Sequence, residues 1–421
     1  MCLSEAKGMD IKMKLSKQTL GKIRKEYGDA FYLLDTEKFI SNYRELLADF
    51  RNYYPSSYIS YSYKTNYTPR LCKIIDELGG YAEVVSDMEA EIALRSGVSP
   101  QKIIYNGPYK NPETLEKLVL LGIHVNVDST YDLLLLKEIA EQHPHVKISA
   151  GIRCNYDVKD GVISRFGFDV DGNEFKKALE VFNKTENLYL AGFHVHIATR
   201  SLETWRPKVT KMLELIEKYY DGTPDYISLG GGLFGKMADS LKAQFDSIIP
   251  SYGEYAEAAC IPFQEMYGSL SKEKQPQLFI EPGSALAGDV MDFVSRVINV
   301  KDVRGKKIAT VLGSMYNINP TLNKKNPPLT VIHMGEETDE FDDLDIGGYT
   351  CIESDYLYRG YKGKIAEGDY VQFGNVGSYS IVLKPPFILP NFPVLELEKD
   401  GTVRLIKQKE QFEDLFHTFI F

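Results

Sequence analysis

Between about residues 57 and 283 the chain alternates two periodicities. Short runs rich in β-branched and aromatic residues predict strands: YISYSYK (58–64), YAEVVS (81–86), KIIYNG (102–107), HVNVDS (124–129), KISAGIR (147–153), LAGFHVHI (190–197), YISLGG (226–231) and LFIEPG (278–283). Helix-period stretches lie between them, such as PRLCKIIDELG, DMEAEIALRSG, NPETLEKLVLLG and TYDLLLLKEIAEQ, several opening on a cap or Pro and closing at Gly. Strands alternating with helices predict a parallel sheet, and eight such units predict a (β/α)8 TIM barrel.

The pattern changes after Glu281. Residues 290–421 carry β-rich runs broken by Gly and Pro, including MDFVSRVINVKDV, KKIATVLG, DYVQFGNVGSYSIVL and FPVLELEKDG, and end in a short amphipathic tail, QKEQFEDLFHTFIF. They predict an antiparallel β domain. The early run AFYLLD (30–35) is placed with that domain, and the stretch 313–345, rich in Asn, Pro, Asp and Glu, reads as loop. The expected division is an N-terminal segment 1–36 pairing with the β domain, a barrel over 37–284 and a C-terminal β domain over 285–421.

Composition narrows the class. Apolar residues are 43% and charged residues 26% of 421, the balance of a soluble globular protein. A net charge of −10 argues against a nucleic-acid surface. The start, MCLSEAKGMDIKMKLSK, has no apolar secretory core, and no run reaches the roughly 18 apolar residues a membrane helix needs. The five cysteines, Cys2, Cys72, Cys154, Cys260 and Cys351, are scattered, and the histidines form no zinc pattern. These features predict a cytoplasmic protein with free thiols, no membrane partner and no metal.

TIM-barrel active sites form at the C-terminal ends of the strands. Those ends carry Lys64, Ser86, Asn106, Ser129, Arg153, His194 with His196, Gly230, Gly231, Gly232 and Glu281. A lysine, an imidazole pair, a glycine turn and a carboxylate around one mouth suit an aldehyde cofactor with a phosphate arm. Desolvation lowers a lysine's pKa and readies its amine for a carbonyl; a lysine at a rim also has the option of snorkelling to water. Glycines let backbone N–H groups approach a phosphate, although glycine clusters often only turn the chain. His194 and His196 alternate along their strand, so one face is expected to carry both. Glu281 alone would read as an ordinary ion-pair member.

Together these residues resemble the fold-type III pyridoxal-phosphate (PLP) decarboxylases, whose members act on diaminopimelate, ornithine and arginine and whose barrel is shared with alanine racemase. YSYKTN is similar to the family's Schiff-base lysine motif, at Lys64. FHVHIAT resembles its HxHIGS segment, with His194 at the ring-stacking histidine and Thr199 at a phosphate-contacting serine. LGGGLFG matches the phosphate loop, and IEPGS matches EPGR, with Glu281 at the pyridine-nitrogen carboxylate. GGYTCIESDYL resembles GPxCxxxD, placing Cys351 at the catalytic cysteine and Asp355 at the motif aspartate; VGSYS resembles the GAY segment, at Tyr379. Glu83, Arg153 and Gly283 complete the expected cofactor contacts, and Asp355 is counted toward the substrate.

The departures concern the substrate's far end. Ser284 stands where EPGR has arginine, Asn319 where diaminopimelate decarboxylases have the arginine of RPxxY, and Ile352 where an acidic residue follows the cysteine. Losing an arginine that grips a carboxylate removes a charge-assisted contact worth roughly 1.5–3 kcal/mol. Arg200, following Thr199 where glutamine is common, is either a relocated positive charge or a solvated rim residue. The resemblance implies decarboxylation of a modified or unusual amino acid by a homodimer with shared sites, with Cys351 of one subunit as the proton donor. The alternatives are diaminopimelate decarboxylase with rewired contacts, an amino-acid racemase, which Glu281 opposes because racemases set arginine against the ring nitrogen, and a noncatalytic PLP-binding regulator, which the presence of both Lys64 and Cys351 opposes.

Overall fold

The computed structural model describes residues 15–336, 338–398 and 400–421. Cys2 and most of the polar N-terminal stretch lie outside the described residues. The chain forms two compact units, one of residues 37–289 with 377–382, the other of the remaining described residues.

The first unit is a closed barrel of eight parallel strands: β1 (Ser57–Ser62), β2 (Tyr81–Val84), β3 (Ile103–Tyr105), β4 (His124–Val127), β5 (Ile148–Asn155), β6 (Leu188–His194), β7 (Tyr226–Ser228) and β8 (Gln277–Ile280). Each pairs in parallel with the next, and β8 returns to β1 with Phe279 opposite Tyr58. The helix signals hold: Asn111 caps Pro112–Leu120 by accepting from the Glu113 and Thr114 N–H groups, and the Ser86 hydroxyl accepts from Glu89 N–H. Aromatic rings fill the interior near the strand starts, where Phe279 meets Tyr81 at 4.7 Å and Tyr226 at 5.9 Å between centroids. That end is sealed by packing, so the polar side chains gather at the other mouth.

The second unit is a nine-stranded mixed sheet. Ala30–Leu34 runs antiparallel to Met291–Val303 and parallel to Val394–Leu397; Lys306–Val311 and Asp339–Gly347 form another parallel pair. The sheet is therefore antiparallel only in the main. Its core joins Leu20, Ile23, Phe31, Leu33, Val294, Tyr370 and Leu395. The stretch 313–345 is not all loop: it holds the turn of helix Met315–Ile318, the strand Leu329–Ile332 and most of Asp339–Gly347. Asp339, Glu340, Asp342 and Asp343 of that last strand face solvent while residues 344–347 are buried, so a strand was hidden under a loop-like composition. Among the described residues no helix is long and apolar enough to cross a membrane.

Candidate active site

Strand β1 stops at Ser62, and Lys64 sits on a following 3-10 turn, Tyr63–Thr65, rather than on the strand itself. The turn is fastened on both sides. Tyr61 OH donates to the Asn66 carbonyl at 2.8 Å, Asn66 Nδ2 to the Gly377 carbonyl at 2.9 Å, and Tyr379 N–H to the Thr65 carbonyl at 2.8 Å. Gly283 lies against it so closely that a Cβ there would stand 2.0 Å from Thr65 Oγ1. This is a tightly determined seat for one lysine.

Lys64 Nζ pairs with the Glu83 carboxylate and lies 3.5 Å from Ser62 Oγ. Burial works to lower its pKa, but the Glu83, Glu281 and Glu89 carboxylates outweigh that and hold the ammonium above the ordinary lysine value. About a third of its side chain is exposed (34%), whereas Glu83 is sealed at 1%.

Glu281, just past β8, is the hub of a buried polar network. It accepts from Ser228 Oγ at 2.7 Å, Asn106 Nδ2 at 3.1 Å and His194 Nε2 at 3.2 Å. Asn106 Nδ2 also reaches Glu83 Oε1 at 3.1 Å, so one amide ties the two carboxylates together. Behind it, Asn126 donates to Asn106 at 2.8 Å and Tyr226 OH to Asn126 at 2.7 Å. Burial alone would raise the Glu281 carboxyl; the His194 ring, Lys64 and the Ser228 hydroxyl instead hold it far below the usual carboxylate range. Since the carboxylate only accepts, His194 carries its proton on Nε2. Its Nδ1 is buried without a partner among the described residues.

His196 lies beyond the end of β6, where the strand has given way to loop. Its Nδ1 accepts from Gly231 N–H at 3.0 Å, and burial, with Lys64 and Arg153 adding, holds the imidazole well below its usual pKa. It is a neutral support for the glycine loop. The loop itself demands glycine: Gly232 has φ +84°, and a Cβ there would meet the Ile197 carbonyl at 2.3 Å.

The remaining candidates fall at varied distances from this centre. Thr199 donates to Asp160 Oδ2 at 2.7 Å, beside a cavity of about 480 Å³ lined by Asp157–Asp160, Ser201, Glu203 and Lys211 among others. Arg153 is pinned to Asp128 at 2.9 Å. Arg200 lays its guanidinium 5.2 Å from the Phe234 ring centroid. Ser284 opens the short helix Ser284–Ala287. Tyr379 holds a left-handed φ of +65°, an uncommon conformation for a side-chain-bearing residue.

In the other unit, Cys351 is exposed on a loop. Asp355 is buried and saturated: Oδ1 accepts from Ser314 Oγ at 3.0 Å and Met315 N–H at 2.7 Å, and Oδ2 from Thr350 Oγ1 at 2.6 Å. Its oxygens hold the cysteine loop, which leaves little of them for a substrate. Asn319 closes its own turn by accepting from Asn323 N–H at 3.1 Å. Motif reading missed Ser228 and Asn126; Ser228, at a strand end, was the one with a positional signal. Among the described residues no group of three His, Cys, Asp or Glu could hold a metal.

A family model described as pyridoxal-dependent decarboxylase, pyridoxal binding domain, matches residues 40–288. The diaminopimelate decarboxylase of Aquifex aeolicus is 26% identical over 94% of this chain and 92% of its own length. The decarboxylase of L-glutamyl-BtrI acyl-carrier protein from Niallia circulans is 25% identical over 96% of this chain and 97% of its own. The crystal structure of diaminopimelate decarboxylase from M. jannaschii superposes with a TM-score of 0.84 at 23% identity, covering 95% of this chain and 94% of that one. With the barrel match spanning well over half its length, the chain belongs to the pyridoxal-dependent decarboxylases, enzymes that use pyridoxal phosphate to remove CO2 from amino acids.

Proposed function

We propose that the protein decarboxylates an amino acid whose distal end is modified or unusual, with Lys64 carrying the cofactor and Cys351 supplying the final proton. The observation that carries this reading is the lysine amine set against the linked carboxylates Glu83 and Glu281 at the barrel mouth.

The residues fit the cofactor. A glycine loop with φ values that only glycine takes easily would receive the phosphate, with Gly283 and Tyr379 close to the Lys64 turn. His194, wedged by its bond to Glu281, would stack on the ring, and its orphaned Nδ1 marks a place where a polar partner is due. When bound, pyridoxal phosphate supplies an aldehyde carbon for the amine and a ring that accepts the electron pair left as CO2 departs.

The chain's own groups then divide the work. Glu281, held ionised by His194 and Ser228, would keep a proton on the ring nitrogen. Lys64 would hold the cofactor's aldehyde carbon, and Glu83, the negative end of its ion pair, would orient the amine. Cys351, exposed on a loop stiffened by Asp355, delivers its Sγ proton to the substrate α carbon of a neighbouring subunit. This makes the working form a homodimer with shared sites.

Ser284, Asn319 and Ile352 leave the distal end without the two arginines and the acid that the resemblance sets there. Asn319, occupied with Asn323, offers no charge in exchange. A relative named for a carrier-linked glutamyl substrate is in keeping with a distal end that is amide-like or tethered. A screen of free and distally modified amino acids for CO2 release, with products identified by mass spectrometry, tests the reading. Turnover confined to modified substrates is expected; a kcat/KM of about 10⁴ M⁻¹s⁻¹ or more on meso-diaminopimelate, lysine, ornithine or arginine contradicts it.

A further inference from the structure

Two side chains of the helix Leu202–Tyr219 reach the glycine loop from behind. Trp205 Nε1–H donates to the Gly232 carbonyl at 2.8 Å, and Lys208 Nζ donates to the Gly231 carbonyl at 3.3 Å. Both residues are fully buried, and Lys208 Nζ lies 3.2 Å from the Trp205 ring centroid, so the pair acts as one clamp. Tyr156 OH, donating to the Lys208 carbonyl at 2.6 Å, braces the helix at that level.

Pinning these carbonyls has a geometric consequence. In a trans peptide the C=O and the following N–H point in opposite directions. With the Gly231 and Gly232 carbonyls drawn to the helix, the N–H groups of Gly232 and Leu233 are turned away from it, and neither finds an acceptor among the described residues. Consecutive free N–H groups on a chain with left-handed glycines form an anion-binding concavity. Lys208 fits the same picture from the other side. No carboxylate among the described residues forms an ion pair with it, and burial holds its ammonium well below the usual lysine value, with Glu281 offsetting only part. A sealed lysine with no anion of its own is pushed toward its neutral form, and one carbonyl away from an anion nest it regains its proton when an anion arrives.

We infer that Trp205 and Lys208 are positioning residues that fix the glycine loop to receive the cofactor's phosphate, with Lys208 supplying positive charge behind it. The inference rests on the reading that this loop takes the phosphate.

Equilibrium dialysis of pyridoxal phosphate and of pyridoxal, which lacks the phosphate, tests it on the full chain. Lys208→Met keeps the apolar stem and removes the charge; it is expected to weaken pyridoxal phosphate about tenfold or more while leaving pyridoxal affinity unchanged. Trp205→Phe removes the N–H donor, together with part of the ring, and carries the same test should the lysine variant not fold. Equal weakening of both ligands, or no weakening of either, overturns the inference. Gly232→Ala is the separate control on the loop. A phosphate-selective loss there beside none in the helix variants sinks the clamp alone, and no selective loss in Gly232→Ala sinks the loop reading and the clamp with it.

Discussion

Lys64 must be neutral to add to an aldehyde, and its surroundings resist that. Because Glu83 and Glu281 raise its pKa, the fraction of free amine climbs only as pH rises toward and past the usual lysine value. The rate of cofactor capture is therefore expected to increase with pH. Removing the Glu83 charge lowers that pKa, so in Glu83→Gln the rise moves to lower pH, each unit giving about tenfold more neutral amine at a given pH. Stopped-flow absorbance across a pH series follows it; superimposable profiles for the two proteins would show that Glu83 does not set the amine's charge. At this scale the sequence was most informative where a residue type is chemically singular. Lys64, His194 and Glu281 stand out at strand ends because a lysine, imidazole or carboxylate there needs an explanation. Asn106, Asn126 and Ser228 make equally short contacts, but amides and hydroxyls are common at strand ends, and nothing in their spacing tells a network from ordinary capping.

The elements were legible where periodicity and turn chemistry agree. All eight barrel strands and the helices between the first of them follow from alternation plus caps. Strand ends were less so: β1 and β6 stop at Ser62 and His194, and the tertiary ties of Thr65 and His196 bend the chain earlier than the apolar pattern does. One element junction makes a stability prediction. After β3, Lys110 is sealed at 0% exposure against Asp132 at 2.8 Å, and the same Asp132 carboxylate accepts from Asp128 N–H at 2.9 Å, beside the Asp128–Arg153 pair. Burial pulls the Lys110 ammonium down, with Asp132 opposing it. Lys110→Met leaves Asp132 buried without its cation and is expected to cost about 3–5 kcal/mol in denaturant titration. A loss below about 1 kcal/mol would mean the pair is already neutral or relaxed by water.

At the scale of the whole molecule, the barrel and the sheet unit divide the proposed chemistry: Lys64 and Glu281 belong to one, Cys351 and Asp355 to the other. The sequence motifs named these residues but could not say which copy of the chain completes a site, because subunit contacts leave no local period. Complementation addresses that. Lys64→Ala and Cys351→Ala subunits, each inactive as homodimers, are expected on mixing to recover up to about a quarter of the wild-type activity, since half the dimers are hybrids carrying one intact site each. No recovery in verified heterodimers would place both residues of a working site on one chain.

The central claim, that Lys64 carries the cofactor, has a direct test. Borohydride reduction of the cofactor-loaded protein, followed by proteolysis and mass spectrometry, locates the lysine that bears it. The phosphopyridoxyl group is predicted on the peptide containing Lys64 and is predicted to be lost in Lys64→Ala. A label on Lys208, the buried amine bonded to the glycine loop, or on any other lysine would contradict the assignment.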